Sequence, residues 1–259
     1  MLPHNRSFLM RIAVLADIHG NVLALDAVLD DLKQRGGADL VVNLGDCVSG
    51  PLWPRETMER LEALDLPTVR GNHDRRVAVD PADDQMWPSD RYAQERLTAA
   101  QREALFALPL TLEIAPGVVA LHARPDHDEK YLADAISDGQ LVRAPLAAIK
   151  RRLKGLDASC RIVLCGHSHR AELFRIPDGP VIFNPGSIGC PAYHDDTPPA
   201  HVSEQGSPHA RYGIVELGQH PDRFEAIAVD YDHEAAARQA EQAGRPEWAH
   251  ALRTGLMPG

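Results

Sequence analysis

No uninterrupted apolar run in the 259 residues approaches the roughly 18 that a membrane-spanning helix needs, which leaves no candidate span. Cysteine is sparse. Cys47, Cys160, Cys165 and Cys190 form no Cys-x-x-Cys pair and no disulfide-like framework, so the cytoplasm is the expected address. Positive charge is short as well: 27 Lys and Arg face 37 Asp and Glu, a net charge of −10, without the footprint of a sequence-independent nucleic-acid binder. With aromatic residues at 5% there is no basic, aromatic-studded groove either, and no long nucleic acid is expected as a partner. What is present is ordinary globular material, 44% hydrophobic and 25% charged, long enough to bury a substantial core. No linker divides the chain, so residues 1–259 read as a single domain. The opening Met1–Arg6 followed by Phe8–Ala16 has a faint signal-peptide look, but Arg11 splits the apolar run, and it reads as an uncleaved first strand.

Strand and helix signals alternate over the first ninety residues. Arg11–Ala16 is a buried strand by its continuous apolar run, and Asn21 is placed to cap a helix with Leu25, Val28 and Leu32 on one face. Leu40–Leu44 and Thr68–Arg70 read as second and third strands, with a helix opened by Pro54 between them. This order predicts a parallel sheet whose carboxyl edge collects ligands. From Arg75 to Leu108 strand signals vanish, and Thr98 with Gln101 forms a capping-box pattern, so a small helical insertion is expected over that edge. Strands return at Thr111–Ile114, Val118–His122, Arg161–Cys165, Ala171–Ile176, Val181–Phe183, Tyr212–Leu217 and Phe224–Val229, before two closing helices. Residues 192–210, rich in Pro, His and acid and without periodicity, read as an irregular loop.

The residues able to do chemistry stand at strand ends. Asp17-Ile18-His19-Gly20-Asn21 follows the first strand, Gly45-Asp46 the second and Gly71-Asn72-His73-Asp74 the third. His122 ends another strand, and Gly166-His167-Ser168-His169 follows the run Ile162–Cys165. Each fragment alone is common in ordinary turns. Five of them at successive strand ends are not. Two carboxylates, one amide oxygen and four imidazoles suit borderline first-row cations such as Mn²⁺, Fe²⁺ or Zn²⁺. Seven protein ligands exceed the need of one tetrahedral zinc but suit two ions sharing a carboxylate. Such a pair leaves the pocket positive, attracts phosphate, generates hydroxide near neutral pH and stabilises an in-line displacement.

The ordered set Asp17-x-His19-Gly20-Asn21, Gly45-Asp46, Gly71-Asn72-His73-Asp74, His122 and Gly166-His167-x-His169 resembles the calcineurin-like metallophosphoesterases. Asn184-Pro185-Gly186-Ser187-Ile188-Gly189 and Leu121-His122-Ala123-Arg124-Pro125 narrow the likeness to the small bacterial branch related to diadenosine tetraphosphatase and Ser/Thr protein phosphatases. The resemblance spans nearly the whole chain and implies a four-layer α/β/β/α sandwich of two facing mixed sheets. It implies two divalent ions, Mn²⁺ first and Fe, Ni²⁺ or Zn²⁺ after it. Asp17, His19 and His169 would hold one ion, Asn72, His122 and His167 the other, and Asp46 both. His73 matches the residue beside the leaving group, a general acid, with Asp74 expected to orient it.

Two departures concern phosphate recognition. Cys47-Val48-Ser49-Gly50-Pro51 replaces the arginine-bearing segment of the protein phosphatases, and Cys190-Pro191-Ala192-Tyr193 replaces a Pro-Arg pair. Arg124 is the expected substitute, with Arg75 and Arg76 as further options, while Cys47 and Cys190 are expected to be packing residues. The reading is therefore a phosphoesterase acting on phosphate mono- or diesters of a small, nucleotide-like substrate by hydroxide attack. The alternatives are a non-catalytic protein-binding scaffold on the same fold or a phosphoprotein phosphatase. Dinucleoside polyphosphates, nucleotides, cyclic diesters and phosphoproteins all remain open as substrates.

Overall fold

The computed structural model describes residues 9–79, 86–218 and 221–259. Strand β1 (Met10–Leu15) leads into helix α1 (Val22–Gln34), whose first turn is capped by the Asn21 side chain accepting from the Ala24 N–H at 3.2 Å. Strand β2 (Leu40–Asn43) pairs parallel with β1, and α2 (Pro54–Leu64) begins with Pro54 in its first turn. The third strand expected at 68–70 is reduced to one parallel bridge between Asn43 and Thr68, because Arg70 turns its N–H to the Pro109 carbonyl at 2.8 Å.

The insertion is helical across its described residues: α3 (Asn72–Ala78), α4 (Pro88–Gln94) and α5 (Ala99–Ala107). The Thr98–Gln101 capping box forms with both of its hydrogen bonds, at 3.1 and 3.2 Å. Val77, Ala93, Leu97 and Leu105 give this region a small core of its own against Cys47, Val48 and Met58.

The chain continues with β3 (Thr111–Ala115), β4 (Val118–Leu121), β5 (Asp134–Ser137), β6 (Gln140–Arg143), α6 (Leu146–Arg152) and β7 (Ile162–Leu164). It then forms β8 (Glu172–Arg175), β9 (Val181–Asn184), β10 (Ala192–Asp195), β11 (His201–Glu204), β12 (Ala210–Leu217), β13 (Arg223–Val229), α7 (His233–Gln242) and α8 (Pro246–Thr254). One sheet has the order β13-β12-β1-β2, a second β3-β4-β7-β9-β8. Both are mixed, with β1 parallel to β2 but antiparallel to β12, and β4, β7 and β9 mutually parallel between antiparallel edges.

The period-two alternation of strands decides the layering. Ile12 and Val14 point inward with Val42 and Val215 to meet Val118, Ala120, Ile162, Leu164 and Phe183 of the second sheet. Ala13 and Leu15, on the other face, pack with Leu25 and Val28 of α1. Val163 and Ile182 cover the outer face of the second sheet with Ile149 of α6. The result is an α/β/β/α sandwich of two facing mixed sheets.

A third sheet, β10-β11-β6-β5, departs from the sequence expectation. Residues 192–210 are not an irregular loop. β10 and β11 pair antiparallel within them, and β11 adds parallel to β6. The pattern was hidden because β11 buries polar side chains, His201 at 4% and Ser203 at 1% exposure, so hydropathy does not alternate. Among the described residues no helix is long and apolar enough to cross a membrane.

Candidate metal centre

The loops leaving β1 and β2 of one sheet and β4 and β7 of the other open at the same end of the sandwich, and they carry Asp17, His19, Asp46, His122, His167 and His169. Asn72 starts α3 beside them. Tight backbone turns aim these side chains. Asp17, His19, Asp46, His167 and His169 all have positive φ, between 51° and 67°, a region that costs non-glycine residues about 1 kcal/mol or more each. The loops also interlock through glycine: a Cβ on Gly71 would strike the Asp46 carboxylate, and one on Gly189 the Ile18 carbonyl.

Ligand-type atoms of Asp17, His19, Asp46 and His169 lie within 4.8 Å of one another, and so do those of Asp46, His122 and His167. The two groups overlap in Asp46. Asn72 Oδ1 stands 3.2 Å from His122 Nε2. All seven expected side chains are therefore gathered in one place, with at most 3% of the surface of Asp17, His19, Asp46, Asn72, His122 and His169 exposed.

The chemistry of the donors fits divalent cations. His19 Nδ1 faces the Ser49 carbonyl at 2.8 Å, His169 Nδ1 the Cys190 carbonyl at 2.7 Å and His122 Nδ1 the Leu44 carbonyl at 2.8 Å. His167 uses Nε2 instead, 2.7 Å from the Glu129 carbonyl. A carbonyl only accepts, so each of these nitrogens carries hydrogen and the other nitrogen of the neutral ring presents a lone pair. Those lone pairs meet acceptors. His19 and His169 Nε2 are 3.1 Å apart, and His122 Nε2 is 3.2 Å from both Asn72 Oδ1 and Asp46 Oδ2. A buried cage of facing lone pairs is repulsive unless positive charge sits inside it.

Electrostatics point the same way. Burial pushes the His19 and His167 rings down, to about 4 and about 3, and His169 well below its ordinary value, all states ready to ligate. Burial also lowers His122, but Asp46 and Asp17 outweigh it and raise that imidazole to about 10. Burial lifts Asp17 to about 7. Although burial opposes it, the neighbouring His122 and His73 hold the Asp46 carboxyl well below the usual carboxylate range. Of the four rings, His122 alone is drawn toward its charged form by the carboxylates, while His19, His167 and His169 stay neutral with a lone pair to offer.

His73 lies at the rim, and its orienting partner differs from the sequence expectation. Asp74 does not hold the ring: its carboxylate accepts from the backbone N–H groups of Asp46, Gly71 and Cys47, each at 2.8 Å, tying the two loops together. The ring is held by Asp90 of the insertion, whose Oδ1 is 2.7 Å from His73 Nδ1 and also accepts from Ser49 Oγ at 2.7 Å. Burial lowers the His73 pKa, but Asp90 and Asp46 more than reverse it, to about 9. Sequence could not reveal Asp90, seventeen positions downstream with undescribed residues 80–85 between.

The arginines also depart from expectation. Arg124 is not a wall of the site; its Nε donates to the Tyr131 carbonyl at 3.0 Å while its backbone bridges His127. Arg75 is engaged by Asp128 at 2.9 Å and by Glu129, and Arg76 by Glu129 and the face of Trp87. Cys47 and Cys190 are buried, as expected of packing residues, although Cys190 Sγ also lies within 4.8 Å of His19 and His169 nitrogens.

A cavity of about 830 Å³ opens onto the donors. Trp87 and Ser89 of the insertion, Tyr131, the β10–β11 hairpin, and Arg245 and Trp248 at the start of α8 form its walls. Tyr131 stacks on His167 at 4.7 Å between ring centroids, and its hydroxyl joins Tyr193 at 2.6 Å and His201 at 2.7 Å. These tyrosines and the α8 residues carried no sequence signal, because nothing in their spacing tied them to the strand-end motifs.

The profile of the calcineurin-like phosphoesterase superfamily domain matches residues 10–203. An uncharacterized protein of Methanocaldococcus jannaschii is 27% identical over 256 residues, covering 92% of this chain and 94% of that protein. A metallophosphoesterase from Sphaerobacter thermophilus superposes with a TM-score of 0.73 at 25% identity, covering 96% of this chain and all of the other (100%). A hypothetical protein from Pyrococcus horikoshii gives a TM-score of 0.72 at 21% identity, over 96% and 99% of the two chains, a likeness of fold.

Proposed function

The chain belongs to the calcineurin-like phosphoesterase superfamily, and from that premise we propose that it hydrolyses phosphate esters of small molecules with the help of two divalent cations. The observation that carries this reading is the overlap of the two donor groups in Asp46. Asp17, His19 and His169 would hold one ion and Asn72, His122 and His167 the other, with Mn²⁺ the first expectation and Fe, Ni²⁺ or Zn²⁺ after it. When bound, such ions supply Lewis acidity toward the phosphate oxygens and toward the attacking water.

The protein's own groups do the rest. The water oxygen forms the new bond to phosphorus and releases its proton to solvent, the ester P–O bond breaks, and the leaving oxygen takes a proton from His73, which solvent then restores. Asp90 fixes Nδ1 of that ring, leaving Nε2 to serve the leaving group, and its negative charge supports the protonated acid. Asp74 keeps the Asp46 and His73 loops in register, and the His73 N–H donates to Asp46 Oδ1 at 2.9 Å. The Tyr131–Tyr193–His201 network packs against the ligand rings and keeps bulk water from their edges. All four cysteines are free, which supports the cytoplasmic address.

The test is hydrolysis of p-nitrophenyl phosphate and bis(p-nitrophenyl) phosphate by chelator-treated protein before and after Mn²⁺ is added. Activity on at least one substrate that requires added metal is expected. No turnover of either ester with any of the four metals would return the chain to the scaffold reading.

A further inference from the structure

The cavity beyond the donors has an unusual charge for an enzyme of phosphate chemistry. Among its described lining residues Arg245 is the single Lys or Arg, and that guanidinium is already committed to Glu247 at 2.5 Å and to Ser89 Oγ at 3.1 Å. Of the three arginines that sequence placed near the site, Arg124 is held by the Tyr131 carbonyl, Arg75 is paired with Asp128 and Glu129, and Arg76 is paired with Glu129 and stacked on Trp87. Against this, Asp195 at the end of β10 and the exposed Asp196 after it line the cavity, and His194 is 3.4 Å from Asp196.

The remaining wall is aromatic. Trp87 lies 5.5 Å from the His73 ring and Trp248 6.1 Å from the His19 ring, so indoles flank the position of the leaving group. Aromatic surface and carboxylates suit neutral or cationic groups, and one face of Trp87 already carries the Arg76 guanidinium. A second phosphate or a carboxylate placed there would meet no unpaired Lys or Arg among the described lining residues and would face Asp195 and Asp196.

Resting on the phosphoesterase reading, we propose that this cavity selects esters in which the phosphoryl group being transferred is the one anionic group. The leaving alcohol is uncharged or cationic, and polyphosphates are excluded. Dinucleoside polyphosphates, left open by sequence, fall outside this class. By Coulomb's law, a like charge within roughly 6 Å of a bound anion at a dielectric between protein surface and water lowers affinity on the order of tenfold, enough to rank substrates.

The experiment uses two-carbon alcohols that differ only in charge: phosphoethanolamine, ethyl phosphate and phosphoglycolate, with diadenosine tetraphosphate as the polyanion. kcat/KM is measured on the Mn²⁺-loaded enzyme, and Kd by calorimetry on the Mn²⁺-loaded His73→Ala variant, whose turnover is suppressed. Phosphoethanolamine and ethyl phosphate are expected to exceed phosphoglycolate and the tetraphosphate by about tenfold or more in both quantities. The Asp195→Asn/Asp196→Asn double variant is expected to narrow that gap to about threefold. Equal or better binding of phosphoglycolate or the tetraphosphate overturns the proposal, as does a gap the double variant leaves unchanged. If p-nitrophenyl phosphate is not hydrolysed, the phosphoesterase reading fails, while the Kd series still decides the charge selection.

Discussion

Asp90 Oδ1 sits 2.7 Å from Nδ1 of His73, and this contact joins the helical insertion to the rim of the candidate metal centre. Asp90 is fully buried and its second oxygen has no hydrogen-bond partner among the described residues. A buried carboxylate held this way is costly unless its charge is used. Replacing Asp90 by Ala is expected to cut turnover about 10–100-fold for alkyl phosphates and only a few-fold for p-nitrophenyl phosphate, whose leaving group needs no proton. The His73→Ala change should follow the same leaving-group pattern with a larger loss, about 10²–10⁴-fold for alkyl esters. A leaving-group series on both variants checks this; a uniform loss across the series would remove His73 from proton transfer.

Asp74 should matter to folding more than to turnover chemistry. Its carboxylate takes three buried backbone N–H groups, and Asp74→Ala orphans all of them. A loss of about 2–5 kcal/mol is expected in urea unfolding of the metal-free protein. A loss below about 1 kcal/mol would show that the loops are held otherwise.

Asp134, beside Ser168 between the expected ligands His167 and His169, gives a pH signature of its own. Burial and Glu172 raise its carboxyl to about 6 against Arg170 and Arg143, above the 3.8 of a free side chain. The folded state therefore binds the extra proton between about pH 4 and 6, and stability falls as pH rises through that window. Asp134→Asn should gain roughly 1–3 kcal/mol over the parent above pH 6, a gain that vanishes below pH 4. Urea unfolding of both proteins at pH 4 and 7 measures it, and an equal difference at the two pH values would contradict the assignment.

The sandwich was legible where hydropathy follows geometry. Ile12 and Val14 against Ala13 and Leu15 announce a strand between two layers, and the Asn21 and Thr98 caps announce helix starts. The seven donors were legible because chain direction puts their loops at one end. The third sheet was not. Its hairpin β5–β6 turns at Asp138-Gly139, both at positive φ, a signal present in the sequence but flanked by strands of only four residues. Likewise Asp90 reaches His73, and Arg245 and Trp248 reach the cavity, from distant elements, and only tertiary packing brings them there.

The metal count of the purified chain tests the shared role of Asp46 most directly. After manganese loading and desalting, elemental analysis is expected to find two ions per wild-type chain and less than one in Asp46→Ala. One ion per wild-type chain, or two retained by the variant, would contradict the paired site.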